Sequence, residues 1–138
     1  MGLVTVKREI KAPLEKVWAI AGDFTKSPDP SLPITIEKKG DGSNFGIGCE
    51  RAIKSGRSTY RERLVAVEPL KSITYEMLSG APVRYYLGKV EVSAEGDITC
   101  IHWSADFMPK FWGTGWIVKR FITKNLMKFV DELTECAI

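Results

Sequence analysis

Residues 115–133, GWIVKRFITKNLMKFVDEL, constrain this chain more than any other stretch. Ile117, Val118, Phe121, Ile122, Leu126, Phe129, Val130 and Leu133 recur at intervals of three and four, the period of a helix with one wide apolar face. The residues upstream read almost entirely as strands. One long helix must therefore be buried against one large sheet. A single helix does not fill the concave side of a sheet that size, so a cavity is expected between them.

Leu3–Lys11 alternates Val4, Val6 and Ile10 against Thr5, Lys7 and Glu9, the pattern of a half-buried strand. Pro13 suits the first turn of a helix, and Val17, Trp18, Ile20 and Ala21 continue it until Gly22. Residues 23–33 hold three prolines and read as a loop or a broken second helix. Six strand-like runs follow: Ile34–Lys39, Ile47–Lys54, Ser58–Glu68, Ser72–Ser79, Val83–Ala94 and Ile98–Phe107. Their separators are short and rich in Gly, Pro and Asp, so consecutive strands must pair antiparallel, because a parallel crossover needs a dozen residues or more. The expectation is an α+β fold: seven antiparallel strands, one or two short helices after the first strand, and the long helix last. No repeat or linker divides the chain, which points to a single domain spanning 1–138.

Charge and composition exclude several classes. Twenty basic and 17 acidic residues leave a net charge of +3, and no Lys/Arg run exceeds two, so no nucleic-acid partner is expected. Asp131 and Glu132 beside the lysines of the long helix argue against a membrane surface, and no run is apolar for long enough for stable membrane insertion. The N-terminus lacks the apolar core of a signal peptide. Cys49, Cys100 and Cys136 have no paired spacing and suit a reduced, cytoplasmic setting. With His102 the one histidine and no thiol cluster, neither a metal nor a cofactor is expected. A monomer and a homodimer remain equally open.

Alternation assigns the faces. In the last strand Thr99, Ile101, Trp103, Ala105 and Phe107 form the apolar face and should point inward, which sends His102 outward. A two-residue turn at Ser55-Gly56 would set Cys49 opposite Glu62 and Arg51 opposite Tyr60, with Arg51 and Glu62 diagonal neighbours. Leu64 shares the Glu62 face while Val65 and Val67 lie on the other, so the pair is either an exposed salt bridge or a polar anchor in an apolar chamber. Ile73, Tyr75 and Met77, then Tyr86, Val90 and Val92, are further inward candidates. Gly88 in mid-strand marks a bulge or a close approach of backbone. On the long helix Ile117, Phe121 and Asn125 form one stripe, and a helix-interior Asn faces solvent or holds a specific polar contact. Phe111, Trp112 and Trp116 surround two glycines in MPKFWGTGW, a cavity lid or a plug of core.

The segments IKAPLEKVWAIAGDF, IGCER, YRERLVAVEP, ITYEMLSGAPVRYYLGKVEV and TCIHWSADFMP, with the closing helix, resemble the START-like superfamily, in its polyketide cyclase/dehydrase and lipid transport branch. The resemblance covers nearly the whole chain. It implies a helix-grip fold, a seven-stranded antiparallel sheet curled around the long helix, enclosing an apolar pocket for a small hydrophobic molecule, and it favours the inward placement of Arg51, Glu62 and Tyr86. Plant hormone receptors of the superfamily place ligand-contacting groups at positions matching Glu62, Tyr86, Phe121 and Asn125. Their anchoring lysine falls near Ser31 here, and their gate loop SGLPA is KSGRS, so a hormone receptor of that type is not expected.

The ligand-binding set is then Arg51, Tyr60, Glu62, Tyr75, Tyr86, Trp103, Phe107, Trp112, Ile117, Phe121 and Asn125. Three functions fit it. The first is a carrier or sequestering protein for a lipid, polyketide or aromatic metabolite, which needs no catalysis. The second is a cyclase or dehydratase in which Glu62 serves as general base and Tyr86 or Tyr75 donates to an enolate oxygen. The third is an interaction or stress-response domain without a ligand, its interior filled by Trp18, Trp103 and Trp116. No inward histidine and no nucleophile–base pair supports the enzyme, so the carrier leads.

Overall fold

The computed structural model describes residues 2–24, 32–40 and 46–137. Most of the proline-rich segment 23–33, Ser31 within it, and residues 41–45 of the GDGSNFG separator lie outside the described residues. The elements are β1 (Gly2–Ile10), α1 (Leu14–Ala21), β2 (Ile34–Lys38), β3 (Glu50–Ser55), β4 (Ser58–Glu68), β5 (Ser72–Ser79), β6 (Val83–Glu95), β7 (Ile98–Pro109) and α2 (Gly115–Ala137). The strands form one open antiparallel sheet in the order β1-β7-β6-β5-β4-β3-β2. This is the helix-grip arrangement. α2 lies along β1, with α1 and β7 its next neighbours, and stands off from β3–β6.

Two local features differ from the sequence reading, and both matter for the interior. The first hairpin turns at Gly56-Arg57, not Ser55-Gly56, so Ser55 pairs with Ser58 and Arg51 lies directly opposite Glu62. Gly56 takes the positive φ (61°) that the first central residue of a type II′ turn demands, and only a turn centred one residue later puts it there. That moves the register by two residues, so every side chain keeps its face. The strand before this hairpin also starts later than expected. Gly48 (φ 93°) breaks the run, and Gly46–Cys49 closes as a turn.

The second feature settles the ambiguous face of β4. The β4–β5 register shifts between Leu64 and Ala66, a bulge that places Val65 on the outside. Alternation restarts after it, so Glu62 and Leu64 point inward before the bulge and Val67 packs toward the core after it. The polar and apolar residues of this strand therefore share one side.

The rest of the core follows the sequence pattern. Val118, Ile122, Leu126, Val130, Leu133 and Ala137 are the buried face of α2, each of the larger ones gaining about 1.5–3 kcal/mol on burial. Val4, Val6, Ile10, Val17 and Ile101 meet them in one cluster. Thr99, fully buried, donates to the Ala12 carbonyl at 2.7 Å and ties the entry of α1 to β7. No helix among the described residues is long and apolar enough to cross a membrane.

Candidate functional site

Where α2 stands off from the sheet, a cavity of about 60 Å³ remains. β3 contributes Arg51 and Ile53 to its wall, β4 Tyr60 and Glu62, β5 Tyr75 and Met77, β6 Tyr86, and β7 Trp103. Phe121, Asn125, Leu126 and Phe129 close it from α2.

The Arg51–Glu62 ion pair in this wall is dry. Arg51 is 4 % exposed and Glu62 6 %. Nε and Nη2 of Arg51 both approach Glu62 Oε1 at 2.9 Å, while Nη1 donates to the Phe24 carbonyl at 3.1 Å. The guanidinium also lies over the Phe24 ring, 3.9 Å from its centroid. Desolvating two charges costs about as much as their attraction returns, so such a pair is weak evidence for stability. What it does is hold two polar groups at fixed positions in an apolar wall.

Beside it stands a second polar group. Trp103 Nε1 donates to the Tyr75 hydroxyl at 2.9 Å, and the Tyr86 ring lies beside that of Tyr75, centroids 6.2 Å apart. Tyr75 fits only because Gly88 lies opposite it: a Cβ there would fall 2.3 Å from the ring's Cζ. Burial raises the pKa of Tyr75 well above the usual phenol value, and the charge of Glu62 adds to the rise. Tyr86 is raised by burial first, then by Tyr75 and Glu62. Both stay neutral donors across the physiological range.

Of the residues expected to line a pocket, Arg51, Tyr60, Glu62, Tyr75, Tyr86, Trp103, Phe121 and Asn125 surround this cavity. Three do not. Phe107 is buried, but its ring sits over Gly2 of the neighbouring β1, where a Cβ would meet it at 2.4 Å. Trp112 is fully exposed, and Ile117 is half exposed in the first turn of α2. The stripe therefore reaches the cavity only from Phe121 onward. Trp116, at 68 % exposure, fills no core either. The β7–α2 loop is thus neither plug nor cavity wall.

Sequence reading missed Phe129, Ile53 and Phe24. Phe129 extends the Phe121–Asn125 stripe by four, and Ile53 shares the face of Arg51 two residues on; the spacing carried both signals. Phe24 follows α1 as a lone loop aromatic and carried none.

The cavity is also smaller than the mismatch of helix and sheet suggested, because the rings of Tyr75, Tyr86, Trp103 and Phe129 occupy most of the space. His102 lies on the outer face as expected, 3.7 Å from Glu91. At the outer side of β1, β6 and β7, Glu9, Glu95 and Cys100 bring possible ligand atoms within 4.8 Å of one another, away from the cavity.

The same architecture recurs in solved structures. A protein of Nitrosospira multiformis superposes with a TM-score of 0.82 at 19% identity, covering 99% of this chain and 97% of its own. A START superfamily protein from Mycobacterium smegmatis gives 0.82 at 15% identity over 98% and 96%. Norcoclaurine synthase from Thalictrum flavum gives 0.70 at 20% identity over 97% and 84%. At these identities the likeness is one of fold. No curated protein sequence matches the chain. The fold is START-like, and the profile of one family matches residues 1–135: the chain belongs to the polyketide cyclase / dehydrase and lipid transport family.

Proposed function

We propose that this protein carries or sequesters a small hydrophobic molecule with one oxygen-bearing end. START-like folds typically bind hydrophobic ligands. The observation that carries the reading is the pairing of the buried Arg51–Glu62 couple with the Tyr75 hydroxyl in a wall that, apart from Asn125 and Lys128 on α2, is made of aromatic and aliphatic side chains. Few polar groups in an apolar chamber are the usual composition of a small-molecule site. The Tyr75 oxygen already accepts from Trp103. Its own proton is then the donor for a guest's carbonyl, carboxylate or hydroxyl oxygen.

Size sets the mode of entry. A space of about 60 Å³ takes a few waters, whereas ligand sites usually measure about 300–1,000 Å³. A guest must therefore displace side chains. The rings of Tyr60 and Phe121, 6.4 Å apart, close the gap between β4 and α2, and Phe121 is 39 % exposed. The first turns of α2 stand clear of β3–β6. A rotamer change of Phe121 with a small lift of those turns opens the chamber from the Tyr60 side.

The test is thermal melting and native mass spectrometry with a panel of lipophilic ketones, acids and phenols. The expected result is a rise in Tm of several degrees with a one-to-one bound mass for at least one class, weakened in Tyr75→Phe. No shift and no bound mass across the panel overturns the reading.

The nearness of Glu62 to Tyr75 also favours one second reading, a cyclase or dehydratase step. Glu62 would take a proton beside a carbonyl while Tyr75 donates to the developing enolate oxygen. If Glu62→Gln turned over a discovered substrate at the wild-type rate, that mechanism would be wrong.

A further inference from the structure

The β7–α2 loop and the outer side of α2 lie outside the core and, apart from Phe121 and Lys128, outside the cavity, yet they are the most apolar part of the surface. Six of the twelve large apolar side chains exposed among the described residues fall between positions 111 and 127. Trp112 is fully exposed, Trp116 68 % and Phe111 59 %. The same region is also the most one-sided in charge. Residues 107–130 contain Lys110, Lys119, Arg120, Lys124 and Lys128 and no acidic residue.

The helix puts these two features on one surface. Val118, Ile122, Leu126 and Val130 look into the core. At about 100° per residue, Trp116, Arg120, Lys124 and Met127 share the opposite side, and all four are exposed.

We propose that this face docks on an anionic lipid bilayer. Tryptophan beside lysine and arginine on an amphipathic helix is the composition of an interfacial element: indole rings settle at headgroup depth and cations meet lipid phosphates. The charge argues for this occupant over others. A second copy of the chain would set five cations against five. A nucleic acid would use the rings for stacking and the cations for phosphates, but Ile117 and Met127 offer it nothing. The acidic pair that argued against a membrane surface in the sequence lies elsewhere. Asp131 is about 22 Å beyond Trp116 along the axis at 1.5 Å per residue, and it is bonded to Arg8. Docking of this kind is peripheral and needs no spanning segment. It does not depend on the cavity holding a guest, although Phe121 belongs to both surfaces and would bring the mouth to the bilayer.

The test is co-sedimentation with vesicles of phosphatidylcholine alone and of phosphatidylcholine mixed with phosphatidylglycerol, read together with tryptophan emission. Binding is expected on the mixed vesicles only, with a blue shift, and is expected to fall steeply with added salt. Arg120→Glu with Lys124→Glu should lower partitioning more than about tenfold, and Trp112→Ala with Trp116→Ala several-fold, both with unchanged far-UV circular dichroism. Any of four results overturns the proposal: no binding to the mixed vesicles, equal binding to neutral ones, binding unchanged in both variants, or a concentration-dependent dimer that Trp112→Ala abolishes.

Discussion

α2 spans two kinds of interior. Its C-terminal half, through Val130, Leu133 and Ala137, closes over β1 and α1, whose inward side chains are Val4, Val6, Ile10 and Val17. Its middle, through Phe121, Asn125 and Phe129, faces an ion pair, two tyrosines and a tryptophan. Aliphatic groups fill space without regard to direction, so the first half packs dry. The second half must satisfy hydrogen bonds at fixed angles, and rings held by such bonds leave gaps between them. Stability should therefore reside in the aliphatic half and selectivity in the polar one.

The largest effect is expected in the polar half, where the comparison is easiest to break. Arg51→Met removes the guanidinium and strands Glu62 in a site where it is 6 % exposed. The expected loss in denaturant unfolding is about 3–5 kcal/mol. Arg51→Met with Glu62→Gln should recover much of it, because the uncompensated charge goes. A single-variant loss under about 1 kcal/mol would mean that the pair is hydrated and the half is not dry.

Leu133→Ala probes the other half. Leu133 is 1 % exposed and lies outside the lining of the main cavity, although it bounds a smaller void of about 20 Å³ with Arg51, Tyr75 and Trp103; truncation should cost about 2–5 kcal/mol. The melting shifts given by ligands should survive it. If they vanish with Leu133→Ala, the two halves are one cooperative unit and the contrast collapses.

The aliphatic half was the legible one. Strict alternation along β1 and β7 and the three-four spacing of α2 identify Val4, Val6, Ile101, Val118 and Val130 as inward without any knowledge of partners. The face of β4 was not legible, because one bulge at Val65 decides it and nothing in the local sequence announces a bulge. Register in the first hairpin was off by a turn position, since Gly56 serves equally well by composition as first or second central residue. Trp112 and Ile117 misled because an apolar residue in a loop or first helical turn reads the same whether tertiary packing covers it or leaves it exposed. The volume of the cavity was hidden for a related reason: it is the remainder after four rings choose rotamers, a small difference between large quantities.

Gly88→Ala sharpens the contrast at the level of one methyl group. The new Cβ would lie 2.3 Å from Tyr75 Cζ and 2.6 Å from its hydroxyl. The ring must move, which breaks the bond from Trp103 and pushes the phenol into the cavity. Overpacking of this kind costs about 1–3 kcal/mol, and Trp103 emission should change with it. A neutral outcome would show that Tyr75 has slack, and that the cavity is larger in solution than its volume here.

The smallest effect separates the halves by pH. All four tyrosines of the chain lie outside β1, α1 and α2, and the two buried ones, Tyr75 and Tyr86, line the cavity with pKa values raised chiefly by burial. A raised folded-state pKa gives stability that is complete below the unfolded value of about 10 and is lost as pH climbs toward the folded one. Above about pH 10 the unfolded chain releases phenol protons that the folded chain keeps. Each buried tyrosine should then remove about 1.4 kcal/mol of stability per pH unit. Unfolding free energies between about pH 10 and pH 12 should fall at least that steeply, and Tyr75→Phe should take about 1.4 kcal/mol per pH unit off the slope whatever it costs at neutral pH. A slope untouched by Tyr75→Phe would mean that water already reaches the phenol, and that the polar half is open rather than closed.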